Sequence, residues 1–322
     1  FSYTWLIISR FISGLGWSVY LTGSSVYLRD VAEPQNRAKF LSLLEMSILA
    51  GQSIGPLIGG YIGDKLGLRF PLYLSAFVIL VALMILKFFV PESQTSKPYI
   101  ENSVSVQANL NPYAKSGSFN GRLWKLLISP GLIFVGMFSL MIVANRQGGR
   151  FSVLPLYGES KGFNAAQIGV FISVTHVPQF FTTMASGFLS DRFGRKFTII
   201  PGVALIVLGL LVFHFTGNLP QMMISGILMG LGEGLAGPPG LAFFADIAPP
   251  GMEGITMGLY RTFGGIGSAV GAVLLGGIAD IAGFAWSIGI DAILLSCTAL
   301  GVMLFVRETA GKGKLSASTN NE

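Results

Sequence analysis

The chain has 322 residues, of which 52% are hydrophobic and only 11% are charged. Ordinary soluble domains carry roughly 25% charged residues, so this composition excludes a soluble globular enzyme, a disordered chain and a nucleic-acid-binding domain. Glycine is abundant, with 43 residues and no collagen-like period, which is typical of closely packed membrane helices. The single cysteine, Cys297, can form no internal disulfide, so redox chemistry is not indicated.

Nine segments are long and apolar enough to cross a bilayer, which takes about 20 mostly apolar residues. In chain order they are residues 5–28, 40–63, 70–90, 131–157, 162–190, 197–215, 221–245, 254–279 and 281–306. Backbone groups inside lipid must be paired within their own segment, so each span is predicted to be a helix. Residues 91–130 are rich in Ser, Asn, Gln and Lys, which predicts a linker between the third and fourth spans.

The distribution of lysine and arginine predicts the orientation of the chain. If the first span runs from the outside inward, 14 of the 21 lysines and arginines lie on the inner side, three on the outer side and four within spans. This asymmetry predicts a cytoplasmic C-terminus in a plasma or inner membrane. The net charge of +6 is therefore explained by topology and is not a nucleic-acid footprint.

The sequence repeats itself once, at a constant offset and without gaps. The matched pairs include Gly14 with Gly230, Gly16 with Gly232, Asp30 with Asp246, Gly51 with Gly267, Gly60 with Gly276, Asp64 with Asp280 and Glu92 with Glu308. Spans one to three therefore recur in the same direction as spans seven to nine, which indicates a parallel repeat. Spans four to six have no counterpart, so we expect three further spans before Phe1 and twelve in the complete protein.

The loop between the fifth and sixth spans carries a motif with defined spacing. Its members are Gly187, Asp191, Arg192, Gly194, Arg195 and Lys196. Spacing and composition resemble the signature cytoplasmic loop of the major facilitator superfamily. The alternative is an ordinary positive-inside loop with a turn glycine.

This resemblance implies an all-α membrane protein of the major facilitator fold, with nine of twelve transmembrane helices present in two parallel-repeat bundles. Residues 1–92 would be the second half of the N-terminal bundle, with transmembrane helices 4–6, and residues 93–130 a cytoplasmic linker. Residues 131–308 would form the C-terminal six-helix bundle, with helices 7–12, and residues 309–322 a cytoplasmic tail.

The resemblance also implies a cytoplasmic latch that makes or breaks as the two halves rock. Arg195 would pair with Asp246 at the cytoplasmic end of the seventh span. Asp30, the repeat equivalent of Asp246, would pair with the corresponding loop in the preceding part of the chain. Asp191 would cap a helix of the other half near residues 38–41, where unpaired N–H groups favour an anion.

The second span resembles the antiporter motif of drug:proton exporters, which ends in Gly-Pro-x-x-Gly-Gly. The matching residues are Gly51, Gly55, Pro56, Gly59 and Gly60. The longer form of the motif has a further glycine nine positions before Gly51, where this chain has Ser42, so import stays open as an alternative. A second alternative is a face of small residues that lets helices pack closely.

Glu233 lies near the middle of its span, among Gly230, Gly232 and Gly234 and shortly before Pro238. Transporters build binding sites in such glycine- and proline-broken helices at the midplane. These neighbours offer little solvation, so a protonated carboxyl is favoured and Glu233 is a candidate for proton coupling. The alternative is a static partner for a buried arginine.

Other charged residues inside spans are costly and usually face a cavity or a partner. Arg10 precedes two glycines in a pattern similar to the superfamily's span-four motif, whose arginine is associated with proton coupling. A snorkelling, structural arginine is the alternative. Glu45 and Arg261 occupy equivalent repeat positions near the cytoplasmic face and are candidate gate charges.

The fourth span contributes the candidates for substrate binding. Arg146 and Arg150 are four residues apart and share a helix face, so together with Asn145 they could hold an anionic or polar group. Snorkelling at the outer interface is the alternative. Further candidate cavity residues, which could equally be packing residues, are Trp17, Tyr20 and Tyr260. Asp291 is predicted to be structural, and His176 to be a packed or hydrogen-bonded histidine.

These features predict a secondary transporter most similar to the drug:proton antiporters, exporting small organic molecules or drugs by alternating access. The alternatives are a uniporter or importer of an organic anion or nutrient, and a receptor or enzyme on a transporter-like scaffold. The sequence has no nucleotide-binding loop and no metal-ligand cluster, so neither a cofactor nor a metal is expected. The expected partners are a small-molecule substrate, protons and the lipid bilayer, without nucleic acid, and the expected state is a monomer.

Overall fold

The computed structural model describes residues 3–32, 37–90, 124, 126–249 and 252–309. Within these ranges the chain is almost entirely helical and contains no β-strand. The helices are α1 (Tyr3–Val31), α2 (Arg37–Leu66), α3 (Phe70–Phe89), α4 (Pro130–Ala144), α5 (Leu154–Ser160), α6 (Ala165–Phe193), α7 (Arg195–His214), α8 (Leu219–Asp246), α9 (Glu253–Ala282) and α10 (Phe284–Phe305). A π-helical segment, Asn145–Val153, joins α4 to α5.

Seven stretches of described helix are long and apolar enough to cross a membrane. They are α3, the continuous stretch Pro130–Ser160 that contains α4 and α5, and the helices α6 to α10. The first two predicted spans correspond to the 29-residue α1 and the 30-residue α2, which are not among the seven. Serine, glycine and charged residues interrupt the apolar side chains of α1 and α2 and lower their mean hydropathy. All nine predicted spans are thus helices, and seven also have the expected hydropathy.

The helix boundaries reproduce the internal repeat of the sequence. The first residue of α8 is the repeat equivalent of the first residue of α1, and both ends of α9 are the repeat equivalents of the ends of α2. Gly67 and Gly283, which are also matched by the repeat, follow α2 and α9 with φ angles of 89° and 94°. Only glycine adopts a positive φ at little cost, so the same type of turn follows the same helix in both copies.

The described residues fall into two compact units. The first draws on Phe1–Leu49 and Leu74–Ser116 and contains α1, the start of α2 and most of α3. The second draws on Ala50–Tyr73 and Gly117–Glu322 and contains the remaining helices. Residues 93–123 of the predicted linker and residues 310–322 of the predicted tail lie outside the described residues, so the predicted domain limits stay predictions.

Small residues bring helix α8 close to its neighbours in the second unit. The backbone of Gly230 lies against Thr175 of α6, and that of Gly232 lies against Gly202 of α7. A side chain at either glycine would collide with a neighbouring backbone, so these positions let α6 and α7 approach α8 from two sides. This packing fixes the position of Glu233, the next residue along α8.

Polar side chains fix the start of three helices in the second unit. The N-cap residues of α4, α6 and α8 are Ser129, Asn164 and Asn218, whose side-chain oxygens accept backbone N–H groups of the first turn. These bonds satisfy donors that a helix leaves unpaired at its start. The caps define where the predicted spans begin.

Candidate functional site

A π-helical segment interrupts the span that begins with α4 and ends with α5. Residues Asn145–Val153 form a π-helix, which is wider than an α-helix. Such segments are rare and are often found at functional sites. Two close approaches hold the segment, because the backbone of Gly148 lies against Gly271 of α9, and Gly149 lies against the Asp291 side chain of α10. The segment therefore presents polar side chains at a fixed place within an otherwise apolar span.

Glu233 of α8 is the centre of a buried charge cluster. Its Oε2 lies 2.5 Å from Arg150 Nη1, and its Oε1 lies 3.2 Å from Arg146 Nε. The side chains of Arg150 and Glu233 are 1% and 8% exposed, whereas that of Arg146 is 35% exposed. The cluster thus pairs one carboxylate with two guanidinium groups of the π segment. Arg146 is the member of the cluster that is partly exposed to solvent.

This geometry bears on three expectations drawn from the sequence. Little solvation was expected for Glu233, which is wrong because two arginines of the π segment face it. The contact with Arg150 is instead the alternative that was left open, in which Glu233 is the partner of a buried arginine, and a role in proton coupling stays a prediction. Snorkelling of Arg150 at the outer interface is wrong, because that side chain is buried. The expectation that Arg146 and Arg150 share one face is confirmed by their common partner.

Several polar side-chain atoms of the second unit are buried without a hydrogen-bond partner among the described residues. They include Arg150 Nε and Nη2, His176 Nε2 and Gln179 Oε1. His176 Nδ1 donates to the Ile172 carbonyl at 2.8 Å, and its ring lies 5.9 Å from that of Phe151. His176 is thus the packed, hydrogen-bonded histidine that was predicted. Gln179, one turn further along α6, was missed because a single helical glutamine carries no spacing signal.

A second buried acid, Asp291 of α10, contacts the π segment. Its side chain is buried, and its Oδ2 accepts a hydrogen bond from Asn145 Nδ2 at 2.6 Å. Its Oδ1 has no hydrogen-bond partner in the part of the chain that the structure describes. Asn145, predicted to lie at the substrate cavity, is itself buried and turned toward Asp291. The bond joins α10 to the span that contains α4.

In the first unit, three predicted site residues lie on α1. Trp17 and Tyr20 are half exposed, and their ring centroids lie 5.7 Å apart. The Arg10 side chain is exposed within its unit. The side chains of Asp30 and Glu45 lie outside the described residues, although both positions are helical. The roles of all five residues stay predictions.

Two further candidates lie on α9 in the second unit. Tyr260 packs edge-on against Phe244 of α8, with ring centroids 5.0 Å apart, as the packing alternative requires. Arg261 is exposed on the next position. Their roles in a cavity and a gate stay predictions.

The predicted signature loop joins α6 to α7 through Gly194. This glycine has a φ of 112°, and a Cβ there would lie 2.9 Å from the Glu308 side chain, so the position suits glycine. Arg195 Nε lies 3.2 Å from Asp246 Oδ2, and Arg195 Nη1 lies 2.5 Å from Asp191 Oδ1. The expected contact between Arg195 and Asp246 is therefore present, whereas its action as a latch stays a prediction.

Glu308 binds the start of α7, a contact that the sequence analysis missed. Its carboxylate accepts the backbone N–H groups of Arg195 and Lys196 at 2.8 and 3.0 Å. The match of Glu92 with Glu308 across the repeat was the available signal. The capping of a helix in the other half by Asp191 stays a prediction.

The remaining members of the loop have less defined surroundings. The Arg192 guanidinium lies 5.4 Å from the centre of the Phe193 ring, and Lys196 Nζ donates to the Met303 carbonyl at 2.7 Å. A Cβ at Gly187 would meet no described atom within 4 Å. The second unit alone therefore gives no packing reason for glycine at that position.

Comparison with known protein families decides the class of this chain. The family model described as Major Facilitator Superfamily matches residues 1–177 and 149–321, which together cover nearly the whole chain. The chain belongs to the major facilitator superfamily. It is therefore a multi-pass membrane transporter, as the helices and the loop motif predicted, and it interacts with the lipid bilayer and a small-molecule substrate.

Three relatives of this major facilitator are 23–26% identical to it. An uncharacterized MFS-type transporter of Methanocaldococcus jannaschii, MJ1560, is 23% identical over 87% of this chain and 69% of its own length. The MFS-type transporter YuxJ of Bacillus subtilis is 26% identical over 85% of this chain and 71% of its own length. The quinolone resistance protein NorA of Staphylococcus aureus is 25% identical over 51% of this chain, which spans 44% of NorA.

Solved structures share the fold of this major facilitator. A D-xylose–proton symporter superposes with a TM-score of 0.61 at 20% identity, over 90% of this chain and 67% of the symporter. A POT family transporter in complex with 5-aminolevulinic acid gives a TM-score of 0.60 at 15% identity, over 88% of this chain and 72% of that transporter. These similarities show the all-α fold of the superfamily.

The antiporter-like motif of this major facilitator packs part of α2 against α6 within the second unit. The backbone of Gly60 lies against the backbone of Gly169. A Cβ at Gly169 would collide with the Pro56 carbonyl oxygen. A Cβ would meet no described atom within 4 Å at Gly51, Gly55 and Gly59. Close packing therefore accounts for Gly60, and an antiporter role of the motif stays a prediction.

Proposed function

We propose that this major facilitator is a secondary transporter that exports small organic molecules in exchange for protons, by alternating access. The observation that carries the proposal is the charge cluster, in which the buried Glu233 faces Arg146 and Arg150 of the π segment. A carboxylate inside an apolar span is costly unless it is paired or protonated. Its partners therefore change when it binds or releases a proton.

Proton binding at Glu233 removes its negative charge and weakens both arginine pairs. Arg146 leaves first, because its side chain is 35% exposed and water can solvate it. Release of the proton restores a carboxylate that attracts the arginines again or, in competition with them, a cationic group of the substrate. Proton and substrate thus exclude each other at one carboxylate, as an exchange mechanism requires.

Two similarities support export as the direction of transport. Residues 51–60 resemble the motif of drug:proton exporters, and one relative of this chain is a quinolone resistance protein. On this proposal, the antiporter-like motif and the charge cluster act in the same transport cycle.

Import of an organic anion is a second candidate function. The cluster holds two cations and one anion, and Arg150 Nε and Nη2 have no hydrogen-bond partner among the described residues. These two N–H groups together can bind both oxygens of a carboxylate in the bidentate geometry that arginine favours. On this alternative, protonation of Glu233 strengthens anion binding, so proton and anion move together.

Transport into reconstituted vesicles separates the two candidates. Accumulation of ethidium, a lipophilic cation, and of benzoate, an anion, is measured with and without an imposed pH gradient. Exchange predicts that ethidium moves against the proton flow, and that Glu233→Gln abolishes this accumulation while substrate exchange partly remains. Glu159→Gln, at an exposed acid in α5, is the matched control and is expected to behave as the parent. Benzoate accumulation together with protons, beyond that in protein-free vesicles into which benzoic acid diffuses unaided, would favour the second candidate, and no protein-dependent, gradient-driven movement of either probe would contradict both.

We further propose that the protein lies in the cell membrane as a monomer with a cytoplasmic C-terminus. The excess of lysine and arginine in the predicted inner loops supports this orientation. A fluorescent reporter that matures only in the cytoplasm, fused after Glu322, tests it. The cytoplasmic latch is likewise a proposal, supported by the ion pairs of Arg195 with Asp191 and Asp246.

A further inference from the structure

Asp291 differs from Glu233 because it has no cationic partner among the described residues. It lies within α10, and 1% of its surface is exposed. One carboxyl oxygen, Oδ2, contacts the Asn145 amide, and the other, Oδ1, is buried without a hydrogen-bond partner. An ionised carboxylate in this position carries a desolvation cost that one neutral amide does not offset, so binding of a proton stabilises the group.

The helices packed around α10 bring no free cation to Asp291 in the part of the chain that the structure describes. Helix α4 has no charged residue. The charged and titratable groups of the other elements are Arg146 and Arg150 of the π segment, Arg195, Lys196 and His214 of α7, and Glu253, Tyr260, Arg261 and Asp280 of α9.

Each of these groups has another partner, is exposed, or has a side chain outside the described residues. Both arginines of the π segment pair with Glu233. In α7, Arg195 pairs with Asp191 and Asp246, Lys196 donates to the Met303 carbonyl, and His214 contacts the Tyr157 hydroxyl. Tyr260 packs on Phe244. Arg261 and Asp280 are exposed, and the Glu253 side chain lies outside the described residues. A proton is therefore the partner that neutralises Asp291 at the lowest cost.

We propose that Asp291 is a second proton-binding site of this transporter, separate from Glu233, and that its proton holds the π segment in place. The contact with Asn145 is compatible with this assignment. The Asn145 amide can bond to either protonation state of Asp291, because its nitrogen donates to a carboxylate and its oxygen accepts from a carboxyl group. With the amide turned over, its oxygen accepts the carboxyl proton and no buried charge remains.

The π segment connects the proton on Asp291 to the charge cluster. Asn145 is the first residue of the segment, and a Cβ at Gly149 would lie 2.8 Å from Asp291 Oδ2, so the backbone there lies against the carboxyl. Release of the proton to water leaves a negative charge beside the segment that carries Arg146 and Arg150. The charge attracts one of these arginines, which then leaves Glu233. The proton on Asp291 thereby sets how many cations Glu233 retains.

Infrared spectroscopy of the purified protein tests the site without any transport measurement. A protonated carboxyl group has its own carbonyl absorption, which shifts when water is replaced by D₂O. We expect this absorption in the parent, in Glu233→Gln and in Asp280→Asn, which changes an exposed acid as a matched control. We expect its loss in Asp291→Asn, which keeps the shape and neutrality of the protonated side chain and therefore preserves folding.

The spectra also give clear contrary outcomes. Absence of the absorption in the parent near neutral pH would overturn the assignment, and so would its loss in Glu233→Gln with retention in Asp291→Asn. Asp291→Leu, which cannot bond to Asn145, provides a second variant, and it too is expected to lack the absorption.

A second experiment measures substrate transport as a function of pH. This experiment rests on the proposed function, whereas the infrared experiment does not. We expect Asp291→Asn to remove a pH dependence that Asp280→Asn retains. An unchanged pH profile in Asp291→Asn would refute the link between Asp291 and the charge cluster. If the parent moves no substrate, the proposed function fails while the infrared result for the proton site still stands.

Discussion

Replacing Glu233 by Leu leaves a buried cation without its counter-charge. Arg150 is 1% exposed, and its Nη1 lies 2.5 Å from Glu233 Oε2, so the guanidinium is shielded from solvent in the described structure. Breaking a buried ion pair by removing one partner costs about 3–5 kcal/mol. For a unit of this size, about 2–4 °C of Tm is lost per kcal/mol, so the expected fall in Tm is about 6–20 °C.

Thermal unfolding of the purified protein in detergent measures this effect, with two controls. Asp191→Leu breaks an ion pair whose acid is 68% exposed, and such pairs contribute about 0–1 kcal/mol. The double variant Glu233→Leu with Arg150→Met removes both buried charges and is expected to recover most of the lost stability, because Arg146 can turn toward water. Equal losses in the single and double variants would refute the reasoning.

Glu233→Gln is a milder change than Glu233→Leu. Glutamine keeps a side-chain oxygen that accepts a hydrogen bond from Arg150, and a bond to a charged group contributes about 1.5–3 kcal/mol. We therefore expect Glu233→Gln to have a Tm between those of the parent and Glu233→Leu. For this reason the glutamine variant is the one suited to transport assays.

Three further changes are expected to have defined outcomes. Gly194→Ala places a side chain at a φ of 112° beside Glu308, so it should lower stability by about 1–3 kcal/mol, and an unchanged Tm would contradict the strain. Lys161→Met removes bonds of 2.5 and 3.0 Å from Lys161 Nζ to the His214 and Thr216 carbonyls at the end of α7, so Tm should fall, whereas Lys161→Arg should retain most of it. Asp246→Asn weakens the pair with Arg195 and should slow transport with little change in Tm, and a parent-like rate would count against the latch.

The sequence predicted those parts of the fold that depend on residues close together along the chain. The repeat that matches α2 with α9 rests on local hydropathy and on glycines such as Gly67 and Gly283, and the helix boundaries reproduce it. The contact of Arg195 with Asp246 was implied by the resemblance to the superfamily, since Asp246 is the carboxylate at the cytoplasmic end of the seventh span.

The buried charge cluster could not be predicted in the same way. Glu233 and its two arginines lie on different helices, and no periodicity relates positions that meet only in the packed unit. The π segment was also not predictable, because the hydropathy pattern does not distinguish a span with i→i+5 bonds from an ordinary α-helix. Asp291 was predicted to be structural, and its buried contact with Asn145 became visible only in three dimensions.

Exchange of substrate for protons is measured most directly with a pH-sensitive dye sealed inside vesicles that contain the purified protein. The vesicles start with equal pH on both sides, and ethidium is added outside. We expect the internal pH to rise as ethidium enters, because protons leave in exchange, in the parent and in Glu159→Gln but not in Glu233→Gln. Entry of ethidium through the parent protein without a change of internal pH, or with a fall, would contradict proton exchange at Glu233.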